Sequence, residues 1–244
     1  MARQERRDCH RHNGTLTLTL YVTMKRLLLI VALLACRLTL ASAGTDWHAE
    51  MERRGMVDVT TLCQSFIIDL RYASTNNFVG KNMYGTFSRA YLHRDAARSL
   101  VKAQQALQRI NKAYSIIIYD AARPQSVQST MWNTVKGTKN EPYVARPTRG
   151  GPHNYGVAVD VGLAYNGVPV DMGTDFDSFS TAAHITAEQQ LVKNGIISRQ
   201  ALANRRLLRR VMTQAGFMTY RREWWHFERY RIAYARKHCT LLDF

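Results

Sequence analysis

The strongest constraint in this sequence is an aspartate set inside an apolar strand. From Gly156 to Leu163 the residues alternate, with Val157, Val159 and Val161 on one face and Ala158, Asp160 and Gly162 on the other. That period of two predicts a β-strand. A carboxylate within it is costly to bury unless it is paired or binds a metal. Just upstream, residues 137–152 hold three prolines (Pro142, Pro147, Pro152) and three glycines (Gly137, Gly150, Gly151), the composition of a loop. That loop delivers His153 beside the strand, and Gly156 lets the backbone turn into it.

A second reactive stretch is Glu223-Trp224-Trp225-His226-Phe227-Glu228. On a flat strand Glu223 and His226 would point to opposite faces, so joint service in one site predicts a bend at Glu223 or Trp224. Two histidines and one aspartate form a three-ligand zinc set: His153, Asp160 and His226. A fourth position stays open for water, as a catalytic site requires. Glu223 is then the natural general base, the division of labour also found in helical H-E-x-x-H peptidases. The third stretch is Tyr119-Asp120-Ala121-Ala122-Arg123-Pro124. Arg123 either stabilises an oxyanion near the metal or pairs with Asp120 or another carboxylate.

The remaining elements are read from period and punctuation. Phe66–Tyr72 and Ser115–Tyr119 are short strands, as are Phe217–Tyr220 and Trp225–Phe227. Apolar residues at Ala96, Leu100, Ala103, Leu107 and Ile110 predict a helix from Asp95 to about Ile110. Further helices follow Pro124, span Ala187–Lys193 and span Ser198–Gln214. Strands and helices mix without regular alternation. This predicts a single α+β domain with a small antiparallel sheet flanked by helices.

The chain start is organised differently. Met24-Lys25-Arg26, the apolar run Leu27–Cys36 and the small-residue site Ala41-Ser42-Ala43 form a secretory signal over residues 24–43. The apolar run is too short to span a bilayer. Residues 1–23 are a polar extension upstream of that signal, either an over-extended reading frame or an N-terminal anchor. A lipoprotein site at Cys36 ranks behind cleavage after Ala43. Residues 44–244 keep 27 Lys+Arg against 16 Asp+Glu, so attraction to the anionic cell envelope is expected. No single-strand-binding pattern or nucleic-acid motif is legible, which argues against a nucleic-acid partner. Cys63 and Cys239 would remain, and a disulfide between them is open.

His153-x-x-Gly156-x-Ala158-x-Asp160 followed by Glu223-x-x-His226 resembles the D-alanyl-D-alanine dipeptidases, the vancomycin-resistance-type zinc peptidases of family M15. Asp69-Leu70-Arg71-Tyr72-Ala73-Ser74-Thr75-Asn76-Asn77-Phe78-Val79-Gly80, Tyr119-Asp120 with Arg123-Pro124, and Met172-Gly173-Thr174-Asp175-Phe176-Asp177 are similar to that family's other motifs, in order. The resemblance implies the zinc D,D-peptidase fold, also found in hedgehog-like proteins. It also implies one zinc on His153, Asp160 and His226, with Glu223 as base and proton donor. It assigns Arg123 to the tetrahedral intermediate and Asp177 to the free ammonium of a D-Ala-D-Ala substrate. Gly151 stands where the family usually has Ser. His-Asn-Tyr-Gly at 153–156 is also similar to D,D-carboxypeptidases and L-alanyl-D-glutamate endopeptidases. Those activities on stem peptides, and a non-catalytic wall-binding module, are the alternative readings.

Overall fold

The alternating segment becomes the middle of a sheet. The structure is a computed structural model that describes residues 46–244; the expected extension, signal and lipoprotein site lie outside these residues. Helix α1 (Trp47–Arg53) leads into β1 (Met56–Asp58), which forms an antiparallel ribbon with β3 (Tyr91–His93). The main sheet contains β2 (Ile67–Ile68), β4 (Tyr114–Asp120), β5 (Ala158–Tyr165), β6 (Val168–Pro169), β7 (Met218–Tyr220) and β8 (Glu223–Glu228). Its order is β2-β4-β5-β8-β7, with β6 paired onto β5. The helices are α2 (Arg94–Ile110), α3 (Gln125–Val135), α4 (Glu188–Lys193), α5 (Arg199–Gln214) and α6 (Ile232–His238).

Two expectations need correction. The sheet is mixed and six-stranded rather than small and antiparallel, because β2 runs parallel to β4 with Ile67 opposite Ile117. The chain between them contains the 17-residue helix α2, and a helical crossover of this kind joins strands that run the same way. The strand expected over Phe66–Tyr72 narrows to Ile67–Ile68 and gives way to a 3-10 turn at Arg71–Ala73. Local side chains win there: Asp69 pairs with Arg71, and the Asn77 amide donates to the carbonyls of Arg71, Ser74 and Lys81.

Register divides the sheet into two faces. Ile116 lies opposite Leu163, Ile118 opposite Val161, and Val159 opposite Phe227. These apolar residues are covered by α2 and α5, whose Leu100, Ala103, Leu107, Leu208, Val211 and Met212 are buried in the same core. The two helices pack on each other; α2 also contacts β4, and α5 contacts β5, β7 and β8. Where β2 is too short to serve β4, the buried Gln104 of α2 accepts from the Ile116 amide at 2.8 Å. On the other face Asp120 lies opposite Asp160, and Asp160 opposite His226. Gly162 leaves room for Tyr119 on that face: a Cβ there would stand 2.6 Å from the Tyr119 hydroxyl, and the ring would have to shift.

Cys63 and Cys239 are free thiols. They pack in different apolar clusters, Cys63 on the main core and Cys239 beside Tyr155, Val157 and Ala235.

Candidate metal and catalytic site

Each residue singled out in the sequence reaches the polar face by a distinct local device. Asp160 is carried by β5 and His226 by β8, as directly opposed residues. His153 sits on a 3-10 turn, Pro152–Tyr155, that ends at Gly156 with φ 63°. Only glycine suits that position, since a Cβ would lie 2.6 Å from the Met56 sulfur and 2.9 Å from the His93 amide nitrogen. Three hydrogen bonds tie this turn to the Ala121–Arg123 segment. His153 Nδ1 donates to the Ala121 carbonyl (2.7 Å), the Arg123 amide donates to the His153 carbonyl (3.0 Å), and Asn154 Nδ2 donates to the Arg123 carbonyl (2.8 Å).

The bend expected near Glu223 is present as a break in register. Thr219 lies opposite Phe227, but Tyr220 lies opposite Glu223, so Trp224–His226 have no partner on β7, while His226 keeps its place opposite Asp160 on β5. Glu223 thereby shares a face with His226, its Oε2 3.9 Å from His226 Nδ1.

Three donor atoms converge. His153 Nε2 and His226 Nδ1 are 3.1 Å apart, His226 Nδ1 and Asp160 Oδ1 2.9 Å, and His153 Nε2 and Asp160 Oδ1 3.3 Å. All three residues are buried. Donors about 2.0–2.1 Å from a tetrahedral zinc ion stand roughly 3.3 Å apart, so this set fits such an ion. The remaining ring nitrogens are engaged, His153 Nδ1 by Ala121 and His226 Nε2 by Glu228 Oε1 at 3.5 Å. These partners fix the tautomers that leave the converging nitrogens free to ligate. The electrostatics agree. Burial opposes charge on His226, yet the Asp160 and Glu228 carboxylates raise it to about 10. Burial likewise opposes ionisation of Asp160, and the two imidazoles override it and hold the carboxyl far below its ordinary value. The cluster therefore favours positive charge at its centre.

Arg123 lines the same cavity, which has a volume of about 240 Å³. Both sequence readings of this residue coexist in one geometry. Its Nε and Nη2 donate to Asp120 Oδ2 at 2.9 and 2.6 Å, and its Nη1 donates to Gln128 at 2.8 Å. Five guanidinium N–H groups exceed these three bonds, and Nη2 is also 3.8 Å from Asp160 Oδ2. Asp120 is fully buried and takes a further hydrogen bond from the Tyr84 hydroxyl. Burial pushes Glu223, also on the cavity wall, up to about 7.

Asp177 forms another part of the wall and adopts a left-handed backbone, φ 62°. The Tyr72 hydroxyl lies 3.0 Å from both of its carboxylate oxygens. Burial, reinforced by Asp160, raises its carboxyl well above the ordinary value. Its loop is clamped from below by Arg205, which is 1% exposed. Arg205 donates to the carbonyls of Met172 (2.6 Å) and Ala182 (3.0 Å), while Trp224 Nε1 donates to Thr174 (2.8 Å).

Sequence reasoning missed Glu228, Tyr72, Gln128 and Arg205 as parts of this assembly. Only Glu228 carried a usable signal, since it lies two residues beyond His226 on the same strand.

Comparison with known proteins adds independent information. Residues 52–242 match the peptidase M15 family, described as D-ala-D-ala dipeptidase. The chain is 33% identical over 174 residues to a D-alanyl-D-alanine dipeptidase of Escherichia coli, covering 71% of this chain and 83% of that protein. It is 30% identical over 178 residues to one of Enterococcus faecalis (66% and 84%) and 26% identical over 178 residues to one of Streptomyces coelicolor (65% and 83%).

Proposed function

The chain belongs to the M15 family of D-Ala-D-Ala dipeptidases, and from that premise we propose that it is a zinc-dependent peptidase that hydrolyses D-alanyl-D-alanine to D-alanine. The observation that carries this reading is the buried trio of donors, 2.9–3.3 Å apart, with the Glu223 carboxylate beside it in one small cavity.

His153 Nε2, Asp160 Oδ1 and His226 Nδ1 would hold the ion. Zinc in such a site supplies Lewis acidity, polarising a carbonyl and bringing the pKa of a water toward about 7. Glu223 takes the proton of the attacking water and later delivers it to the leaving amine nitrogen. Arg123 donates its spare N–H groups to the oxyanion of the tetrahedral intermediate. Asp120 and Gln128 hold the guanidinium in place, so little reorganisation is needed as charge develops. Asp177 receives the substrate's free ammonium. Among the described residues its carboxyl takes hydrogen bonds from the neutral Tyr72 hydroxyl and from no cationic side chain, and an incoming ammonium provides the cation. That closure at the amino end favours a dipeptide over a longer stem.

The signal-like segment 24–43 supports action outside the cytoplasm, on peptides released from the wall. An exported product beginning at Gly44 is expected on N-terminal sequencing.

The test offers the protein D-Ala-D-Ala, a pentapeptide stem and an L-Ala-D-Glu peptide, with and without chelator, and weighs the products by mass spectrometry. Chelator-sensitive release of D-alanine from the dipeptide alone is expected. Cleavage confined to the stem or to L-Ala-D-Glu would move the substrate to a carboxypeptidase or endopeptidase. No cleavage of any peptide by a zinc-loaded chain would leave a wall-binding module.

A further inference from the structure

The outer surfaces of α2 and α5 carry an unusual charge pattern. On α2 the exposed stripe opposite the buried one runs Arg94, Arg98, Lys102, Gln105, Arg109. On α5 it runs Arg199, Ala203, Arg206, Arg210. The spacings of three and four residues place each set on one side of its helix. Neither stripe contains an acidic residue. The salt bridges of these helices are made elsewhere, by Asp95 with His93 and by Arg205 and Arg209 with Glu188. None of the seven stripe cations has a carboxylate partner among the described residues. Because both helices lie on the same face of the sheet and pack on each other, both stripes point away from it. The result is a two-helix cationic face on the side of the sheet opposite the cavity.

The cations from Arg94 to Arg109 span roughly 22 Å at the helical rise. No single small anion reaches across that distance, so the complementary partner is an extended array of negative charge. The end of the α2 stripe narrows the choice. Immediately after Arg109 comes Ile110, 50% exposed, and next to it the turn between β5 and β6 exposes Tyr165 (40%) and Val168 (66%). These are contiguous: Asn111 Nδ2 lies 3.5 Å from the Tyr165 hydroxyl, the Asn166 amide donates to the Ala113 carbonyl at 2.9 Å, and Tyr165 is paired with Val168. Lys112 is exposed beside them. An apolar tip with one tyrosine, bordered by cations, matches the boundary between headgroups and acyl chains. A water-soluble polyanion offers that tip nothing.

We propose that this face docks the protein on an anionic lipid bilayer. The cations lie against the headgroups, and Ile110, Tyr165 and Val168 enter the interfacial layer. Held this way, the cavity faces away from the lipid, toward soluble peptides.

The test uses residues 44–244, which contain the compact unit Trp47–Phe244 and exclude the apolar run 27–36. Binding is measured by co-sedimentation with vesicles of phosphatidylcholine alone or with phosphatidylglycerol, at low and high salt. Phosphatidylglycerol-dependent binding that weakens with salt is expected. Lys102→Gln, Arg109→Gln, Arg206→Gln and Arg210→Gln together should lower partitioning by roughly 10²–10³-fold, given the usual contribution of each cation near such a surface. Tyr165→Ser with Val168→Ser should lower it further at unchanged charge. Both sets lie outside the cavity, so circular dichroism and peptide turnover should match the parent chain. Equal binding to both vesicle types, or binding untouched by the four Gln substitutions, overturns the proposal. Polyphosphate that displaces the protein while the Ser variants bind vesicles normally also overturns it, because the face would then serve a soluble polyanion.

Discussion

The two faces of strand β5 are one residue apart and obey different rules. Val159, Val161 and Leu163 meet α2 and α5 in a core where hydrophobic burial dominates. Asp160, on the opposite face, meets two imidazoles, with Arg123 3.8 Å away and Glu223 beyond. His153, Asp160 and His226 are buried there; pairing overrides the desolvation cost at Asp160 and His226, whereas burial prevails at Glu223 and Asp177. The contrast teaches where stability and chemistry reside in this molecule. The helix face supplies apolar burial that stabilises the strand, and the polar face leaves the Glu223 and Asp177 carboxyls uncompensated, as an arrangement for a ligand would.

The largest expected effects come from the polar face. His226→Ala should lose both stoichiometric zinc and turnover, as read by metal analysis and D-alanine release. Glu223→Ala should keep zinc and lose roughly 10²–10⁴-fold in kcat. If the Glu223 variant also lost its zinc, the carboxylate would belong to the ligand set and its role as base would fall. Arg123→Ala comes next. One oxyanion donor is worth roughly 10²–10³ in rate. The same change strands Asp120, buried and without its counter-charge, which should cost roughly 3–5 kcal/mol of stability. Near-normal turnover in Arg123→Ala would reduce that residue to a structural partner of Asp120.

A substitution on the helix face tests the other half of the contrast. Leu208→Ala removes a fully buried side chain of α5 and should cost roughly 2–5 kcal/mol. Its zinc content and kcat/KM at temperatures well below unfolding should be those of the parent. A kinetic defect there would show that the two faces are coupled through β5.

Legibility in the sequence follows the same division. His153, Asp160, Glu223 and His226 could be picked out because each is a reactive residue in a conspicuous local setting: a Pro/Gly loop, an apolar alternation, a tryptophan pair. The helices α2 and α5 were legible because a 3.6-residue period is a local property. The direction of β2 was not, since strand polarity depends on a crossover dozens of residues long. The role of Arg205 was equally hidden. Its two carbonyl partners, Met172 and Ala182, are 33 and 23 residues away in sequence, and an arginine on a helix full of arginines announces no burial. Asp120 was visible as a partner for Arg123, but its 3.4 Å approach to His153 Nδ1 came only with the fold.

The smallest effect concerns Asp177, where function and stability pull apart at a single residue. Burial raises its carboxyl well above the value in an unfolded chain. A carboxyl shifted in that direction costs the fold nothing at low pH, where it is protonated in both states. As pH rises past the unfolded value, the unfolded chain ionises first and folding stability falls, until the folded carboxyl ionises as well. Asp177→Asn keeps a hydrogen-bond acceptor for Tyr72 and tolerates the φ of 62°. The variant should therefore gain stability over the parent, and the gain should grow as pH climbs above the ordinary carboxylate range. Denaturant melts of the zinc-free chain at several pH values measure it. The same variant should bind D-Ala-D-Ala more weakly, with KM rising more than kcat falls, because the ammonium loses its counter-charge. A difference between the two melts that stays flat with pH would mean that Asp177 is ionised at no cost in the fold, and the argument that it awaits a cation would lose its support.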